Sequence, residues 1–266
     1  MLGASLSHAR VTASLAGLGA RLGCPLTVLE STPSTNDDAR RAAQEGAPHG
    51  ALFVADQQTA GRGRGGHRWH SPRGVNVYLS LVWRPRDCTV DVAPLALAAG
   101  LAVARTVDAA LETAHADLGS SRIKWPNDVY VRERKIAGVL LEAFTLASKT
   151  AVVIGIGLNV LVASFPEELA CRATSLALEA PGIAFDRNQL AARLVCELER
   201  ACGSFEAAGL AELLGELAAR DFLRGRTVSV GQVRGVARGI DERGRLTVEA
   251  DDGAIRAILS GEVCWT

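Results

Sequence analysis

Residues 56–72 read Asp56-Gln-Gln-Thr-Ala-Gly-Arg-Gly-Arg-Gly-Gly-His-Arg-Trp-His-Ser-Pro72. Gly61, Gly63, Gly65 and Gly66 admit backbone angles that other residues resist, and they let amides approach a ligand closely. Arg62 and Arg64 are planar forks that match phosphate or carboxylate oxygens. Trp69 offers an aromatic face for a base or a closing lid. Together these types suit a loop that folds around an anion. No Gly-Lys-Ser/Thr closes it, so it is not a P-loop. Taken alone, the same residues also fit a glycine-rich surface loop or a single RGG fragment that binds nucleic acid.

Four other stretches carry chemistry-bearing types. Ser34, Thr35 and Asn36 stand where a helix begins, able to cap it and to face a ligand with hydroxyls and free amides. Lys124-Trp-Pro-Asn-Asp128 places two charges around a turn forced by Pro126 and Asn127. Lys135 follows in the turn Arg132-Glu-Arg-Lys135, and turns are where sites tend to lie, although solvated turn charges look the same. Gly155 and Gly157 interrupt an apolar strand, which marks close approach of a ligand or of another backbone.

The elements that must position these residues alternate strand and helix. Thr27–Glu30 reads as a strand, and Ala39–Glu45 continues a helix capped at Ser34 or Thr35. Strands are expected at 51–57, 76–83, 121–125, 129–131, 136–144 and 151–160, with the fourth and fifth forming a hairpin. The alanine- and leucine-rich 91–111 predicts a core helix, and 186–202 and 208–220 predict amphipathic helices, the first capped by Asp186 with Gln189 three residues on. Val11, Leu15, Leu18 and Leu22 recur at helical spacing in an N-terminal segment that has no acidic residue before Glu30. That segment reads as an amphipathic helix, with a targeting presequence as the other reading. From Arg226 short strands punctuated by glycine predict a small β-barrel of about 45 residues.

Composition bounds the classes. A chain of 266 residues suits one large domain with a small appendage. Lys+Arg 29 equals Asp+Glu 29, and a dedicated nucleic-acid binder would show a basic surplus. Cys24, Cys88, Cys171, Cys196, Cys202 and Cys264 form no Cys-x-x-Cys pair, so neither a zinc site nor a disulfide framework is indicated, and a reduced, cytoplasmic protein is expected. No apolar run reaches the length of a membrane span.

Five separated pieces then agree with one family. Ser34-Thr-Asn36, Gln58-Thr-Ala-Gly-Arg-Gly-Arg64 through Trp69 and Ser71-Pro72, Lys124-Trp-Pro-Asn-Asp128, Arg134-Lys-Ile-Ala-Gly138 and Gly155-Ile-Gly-Leu-Asn159 occur in the order found in biotin–protein ligases, which the chain resembles. The resemblance implies an α+β fold: a mixed sheet with flanking helices, related to class II aminoacyl-tRNA synthetases, and a C-terminal SH3-like barrel. The expected divisions are 1–25, an N-terminal helix; 26–221, the catalytic domain; and 222–266, the barrel. It implies biotin and ATP as substrates, Mg²⁺, biotinyl-5′-AMP as intermediate, and a biotin carboxyl carrier domain of an acyl-CoA carboxylase as acceptor.

The resemblance also implies roles. Arg62 and Arg64, with the amides of Gly61 and Gly63, would wrap biotin and phosphate, and Lys135 would hold the carboxylate and phosphoryl oxygens. Ser34, Thr35, Asn36 and Gln58 would meet biotin, whose ureido ring needs donors and acceptors. Trp69 would pack on adenine. Gly155 and Gly157 would form an apolar floor under the bicyclic ring, Gly138 would also belong to the binding site, Lys124 would touch phosphate, and Asn159 would touch ribose or adenine. Asn127 and Asp128 would bind Mg²⁺ or orient the incoming lysine. The loop continues as Gly65-Gly66-His67-Arg68 where many family members carry further basic residues, which puts retention of the intermediate at issue. About 25 residues before the catalytic core leave no room for the family's winged helix of roughly 60 residues, so no DNA binding is expected. Monomer and homodimer are both open. A lipoate–protein ligase and an RGG-type nucleic-acid binder are the alternatives.

Overall fold

A computed structural model describes residues 5–87, 91–114, 119–146 and 149–266. Cys88 lies outside the described residues, as does the start of the N-terminal segment. In chain order the elements are α1 (His8–Gly17), β1 (Leu26–Leu29), α2 (Thr35–Gln44), β2 (Leu52–Ala55), β3 (Asn76–Trp83), α3 (Leu95–Thr113), β4 (Arg122–Lys124), β5 (Asp128–Val131), β6 (Arg134–Leu146) and β7 (Lys149–Asn159). There follow α4 (Glu167–Ala170), α5 (Leu176–Glu179), α6 (Arg187–Ala208), α7 (Leu214–Arg220), β8 (Thr227–Val230), β9 (Val233–Ile240), β10 (Leu246–Ala250), β11 (Ile255–Ile258) and β12 (Cys264–Trp265).

The first seven strands form one sheet in the order β1-β2-β3-β7-β6-β5-β4. Only the β1–β2 pair is parallel. Strand residues two apart share a face, and the two faces differ. Val77, Leu79, Leu81, Val152, Ile154, Ile156 and Leu158 enter the main core with α3 and α6. The other face packs α2 through Ala39, Ala43, Phe53, Val82 and Val153. Continuing along that second face by twos, β3 presents Ser80, β7 presents Gly155 and Gly157, and β6 presents Gly138, Leu140 and Glu142. Register aligns Ser80 with Gly155, and Gly155 with Leu140; Gly157 stands beside Gly138.

The β5–β6 ladder contains a register shift that leaves Ile136 as an extra residue. A bulge re-aims the side chains beyond it. Lys135, which strict alternation from Gly138 would send into the core, shares the face of Gly138 and Asp128 instead, while Ile136 is fully buried. The Pro126 turn that joins β4 to β5 has a cis Trp125–Pro126 bond. Trp125 is buried beneath it and donates its Nε1–H to the Gly244 carbonyl at 2.8 Å.

Helix α1 buries Val11 and Leu15 against α6, whereas Leu18, expected on the same stripe, is exposed because the helix ends at Gly17. Asp186 caps α6 by accepting from the Asn188 amide, and among the described residues Gln189 closes no capping box. The C-terminal strands make a five-stranded antiparallel sheet, β11-β10-β9-β8-β12, of the SH3-like type. An aromatic cluster of Tyr130, Phe222 and Trp265 lies where this sheet meets β5.

Candidate functional site

The N-terminus of α2 faces the polar strip of the sheet. Ser34 occupies the cap position with extended backbone, but its hydroxyl makes no capping bond. Ser34, Thr35 and Asn36 are each less than 5% exposed. Thr35 donates its amide to Gln58 Oε1 at 2.9 Å and its hydroxyl to the same oxygen at 3.2 Å. Gln58 Nε2 donates to Ser71 Oγ, closing the start of the loop on its end. Ser80 Oγ lies 2.7 Å from Thr35 Oγ1 and 2.6 Å from Asn36 Oδ1. The Asn36 amide donates to Glu142 Oε2 at 2.8 Å. A Cβ on Gly155 would stand 2.0 Å from Asn36 Oδ1, so only glycine lets this carboxamide lie on the sheet.

The loop folds back on itself. Arg62 and Arg68 pair in an antiparallel bridge, and the Gly63 amide donates to the His67 carbonyl at 2.7 Å. Gly65 turns the chain with φ 67°, a conformation natural to glycine. This turn lays Trp69 across the glycine strip: a Cβ on Gly157 would meet the indole at 2.3 Å, and one on Gly138 at 3.3 Å. The Trp69 Nε1–H is buried and has no hydrogen-bond partner among the described residues.

Lys135 Nζ sits 5.3 Å from the Trp69 ring centroid and 2.6 Å from Asp128 Oδ1. Its strand is held from outside the sheet. The Lys135 amide donates to the Arg172 carbonyl at 2.8 Å, and the Thr174 amide donates to the Lys135 carbonyl at 2.9 Å. Arg134 binds Glu179, whose carboxylate also accepts from the Thr174 hydroxyl.

Arg62 reaches Asp37 at 2.7 Å and Glu142 at 3.3 Å. The Asp37 hydrogen bond is the chief reason its guanidinium is held above the ordinary arginine value. Arg64 points elsewhere and donates to the Gly261 carbonyl, in the C-terminal sheet's last connection, at 3.0 Å. Lys124 lies under Trp265, 4.1 Å from the ring centroid, and burial pushes its amine below the usual lysine value. The Asn127 amide donates to the Val139 carbonyl at 2.6 Å, and the Asn127 carbonyl accepts from the Val139 amide. Asn159 is buried, accepting from the Asn76 amide and donating to the Thr174 carbonyl.

Ser34, Thr35, Asn36, Gln58, Gly61, Arg62, Trp69, Asp128, Lys135, Gly138, Gly155 and Gly157 are thus gathered along one strip. Gly63, Arg64, Asn127 and Asn159 have their polar groups engaged away from the strip, whereas Lys124, beneath Trp265, lies within electrostatic reach of Asp128 and Lys135. Sequence reasoning missed Asp37, Ser80 and Glu142. The signal was there for two of them: a serine and a glutamate inside apolar strands must find partners when buried.

This strip is strongly patterned toward one known family. Residues 28–159 match the Biotin/lipoate A/B protein ligase family, and residues 225–264 match the Biotin protein ligase C terminal domain. The chain is 39% identical over 245 residues to the biotin--[acetyl-CoA-carboxylase] ligase of Mycobacterium tuberculosis, covering 90% of this chain and 88% of that one. The chain belongs to the biotin protein ligase family. It is also 37% identical to the bifunctional ligase/repressor BirA of Escherichia coli, over 80% of this chain, but the match spans only 66% of that longer protein. The biotin protein ligase from Aquifex aeolicus in complex with biotin and ATP superposes with a TM-score of 0.76 at 30% identity, covering 90% of this chain and 97% of that one. The C-terminal match places the five-stranded sheet in the same family. Among the described residues no helix is long and apolar enough to cross a membrane, and no group of three metal-ligating side chains is assembled.

Proposed function

We infer that the chain is an ATP-dependent ligase that activates biotin as biotinyl-5′-AMP and transfers the biotinyl group to a lysine of a biotin carboxyl carrier domain. One observation carries the assignment of residues: the bulge at Ile136 turns Lys135 onto the glycine strip, where the α2 N-terminus and the arginine loop also arrive. In the first step a biotin carboxylate oxygen attacks the α-phosphorus. The bond from that phosphorus to the bridging oxygen breaks, and pyrophosphate leaves with the electron pair. Two anions must meet, so fixed positive charge has to face them. Lys135 supplies it from one side. Arg62 supplies it from the other once the substrate anions take the place of Asp37 and Glu142.

Thr35, Asn36 and Ser80, all buried, and the half-buried Gln58 alternate donor and acceptor along one line, which suits a ureido ring. Trp69, whose indole N–H has no partner among the described residues, moves from the glycine strip to the adenine as the loop closes on the adenylate. In the second step the neutral acceptor amine attacks the acyl carbon, the acyl carbon–oxygen bond to the phosphate breaks with AMP taking the electron pair, and the nitrogen gives up a proton to solvent as the amide forms. Asp128 lies where it can orient that amine. Mg²⁺ would arrive with ATP. Asp128 is paired to Lys135, Asp37 and Glu142 hold Arg62, and no three metal-ligating side chains converge among the described residues, which fits a metal carried largely by phosphates rather than a cage built by the protein. When bound, it would neutralise charge on the leaving pyrophosphate.

The test is incubation with biotin, MgATP and an isolated carrier domain, read by intact mass. Gain of one biotinyl group on the carrier is expected, and its loss when the acceptor lysine is replaced by arginine. An unmodified carrier with folded enzyme would refute the reading.

A further inference from the structure

The arginine loop leaves the sheet after β2 and re-enters it at β3, and one buried side chain holds both ends. Arg187, the first residue of α6, is 2% exposed. Its Nη1 donates to Asp56 Oδ1 at 2.7 Å, at the loop's entry, and to the Asn76 carbonyl at 3.2 Å, at its exit. The same Asp56 faces Arg73 at 3.5 Å, and its carbonyl accepts from the Gly74 amide. Tyr78, fully buried, adds a bond from its hydroxyl to the Pro72 carbonyl. Asn76 in turn is tied to β7: its side chain accepts from the Val160 amide and donates to Asn159.

We propose that Arg187 is a positioning residue for the ligase reaction, clamping the two roots of the 57–75 loop so that Arg62 and Trp69 are delivered over the glycine strip and Arg64 reaches its anchor at Gly261. Several features favour this over a purely structural role. A guanidinium is costly to bury, and its Nε has no hydrogen-bond partner among the described residues, so the group is poorly suited to simple core filling. Its two bonds go to the two ends of one segment, not to neighbouring helices. Angular error at a loop root is amplified at the tip, and small misplacements of catalytic groups cost rate steeply. The inference rests on the loop's assignment to the reaction, and it extends the site to a residue far along the chain in α6.

The experiment is a double-mutant cycle on biotinyl-5′-AMP retention. Arg187→Met, Arg64→Gly and the double variant are loaded with biotin and MgATP, and release of the adenylate into solution is timed without carrier. Each value is normalised to the fraction of protein that forms adenylate. Both single variants should release about tenfold faster, and the double should be no faster than either alone, because both act through one loop. Arg187→Lys should recover part of the retention by restoring a cation to Asp56. A purely structural role would lower the adenylate-forming fraction and leave the normalised rate alone. Faster release by Arg64→Gly with none from Arg187→Met would overturn the clamp. No change in Arg64→Gly would indict the loop's assignment itself, and the clamp with it. Strict multiplication of the two effects would also overturn the clamp. If Arg187→Met does not fold, Asp56→Asn/Arg187→Met, which removes both charges together, replaces it in the cycle.

Discussion

The two sides of the site are built on opposite principles. Beneath α2, Thr35, Asn36, Gln58 and Ser80 are fixed by short hydrogen bonds to one another and to Glu142. Their geometry exists before any ligand arrives. Across the strip, the arginine loop is held by contacts that a ligand can replace. Arg62 rests on two carboxylates, Arg64 on one carbonyl of the C-terminal sheet, and the Trp69 indole N–H on no partner among the described residues. On the proposed reading, the rigid side selects and the exchangeable side closes. Preorganisation lowers the cost of binding the small neutral ring, while a loop that swaps partners can order around a labile anhydride and exclude water from it.

Lys135 belongs to both sides, so its loss should do the most damage. Lys135→Ala is expected to cut pyrophosphate release by about a hundredfold or more, with an unchanged circular dichroism spectrum. Near-normal release would remove it from the chemistry. Next comes Gly155→Ala, aimed at the rigid side. Its Cβ would collide with Asn36, and KM for biotin should rise about tenfold or more, with a lower Tm. The same change at Gly66, in the loop, meets nothing within 4 Å and carries only the backbone strain of φ 81°, about 1 kcal/mol. Equal effects at the two glycines would erase the contrast between the sides.

Arg64→Gly frees the loop from Gly261. It should speed adenylate release about tenfold while leaving KM for biotin within about twofold. A rise in biotin KM without faster release would reverse the division of labour. The smallest effect is expected for Ser80→Ala, which deletes one hydroxyl between Thr35 and Asn36. A loss of about 1 kcal/mol in biotin affinity, several-fold in Kd by titration calorimetry, follows from the bonds removed. A change in adenylate release but not in affinity would place Ser80 on the wrong side.

Much of this was legible in the residues, for physical reasons. An apolar run between a glycine-rich loop and Pro85 has few fates other than a strand, and β3 spans the expected Asn76–Trp83. The five motifs were legible because each pairs a local constraint with a polar group. What was not legible is distance across the sheet. Nothing local sends Arg62 to Asp37 and Glu142, or Arg64 to Gly261, 197 residues on. Asn159 could be placed next to a glycine strand but not between Asn76 and Thr174, since those bonds depend on register and on the segment following β7. The bulge at Ile136, which aims Lys135, needs the β5 partner to be seen at all.

Pyrophosphate release from MgATP, with biotin and lipoate compared side by side and no carrier present, tests the central claim most directly. The account predicts release with biotin and not with lipoate. Release with lipoate alone, or with neither acid from folded protein, would contradict it.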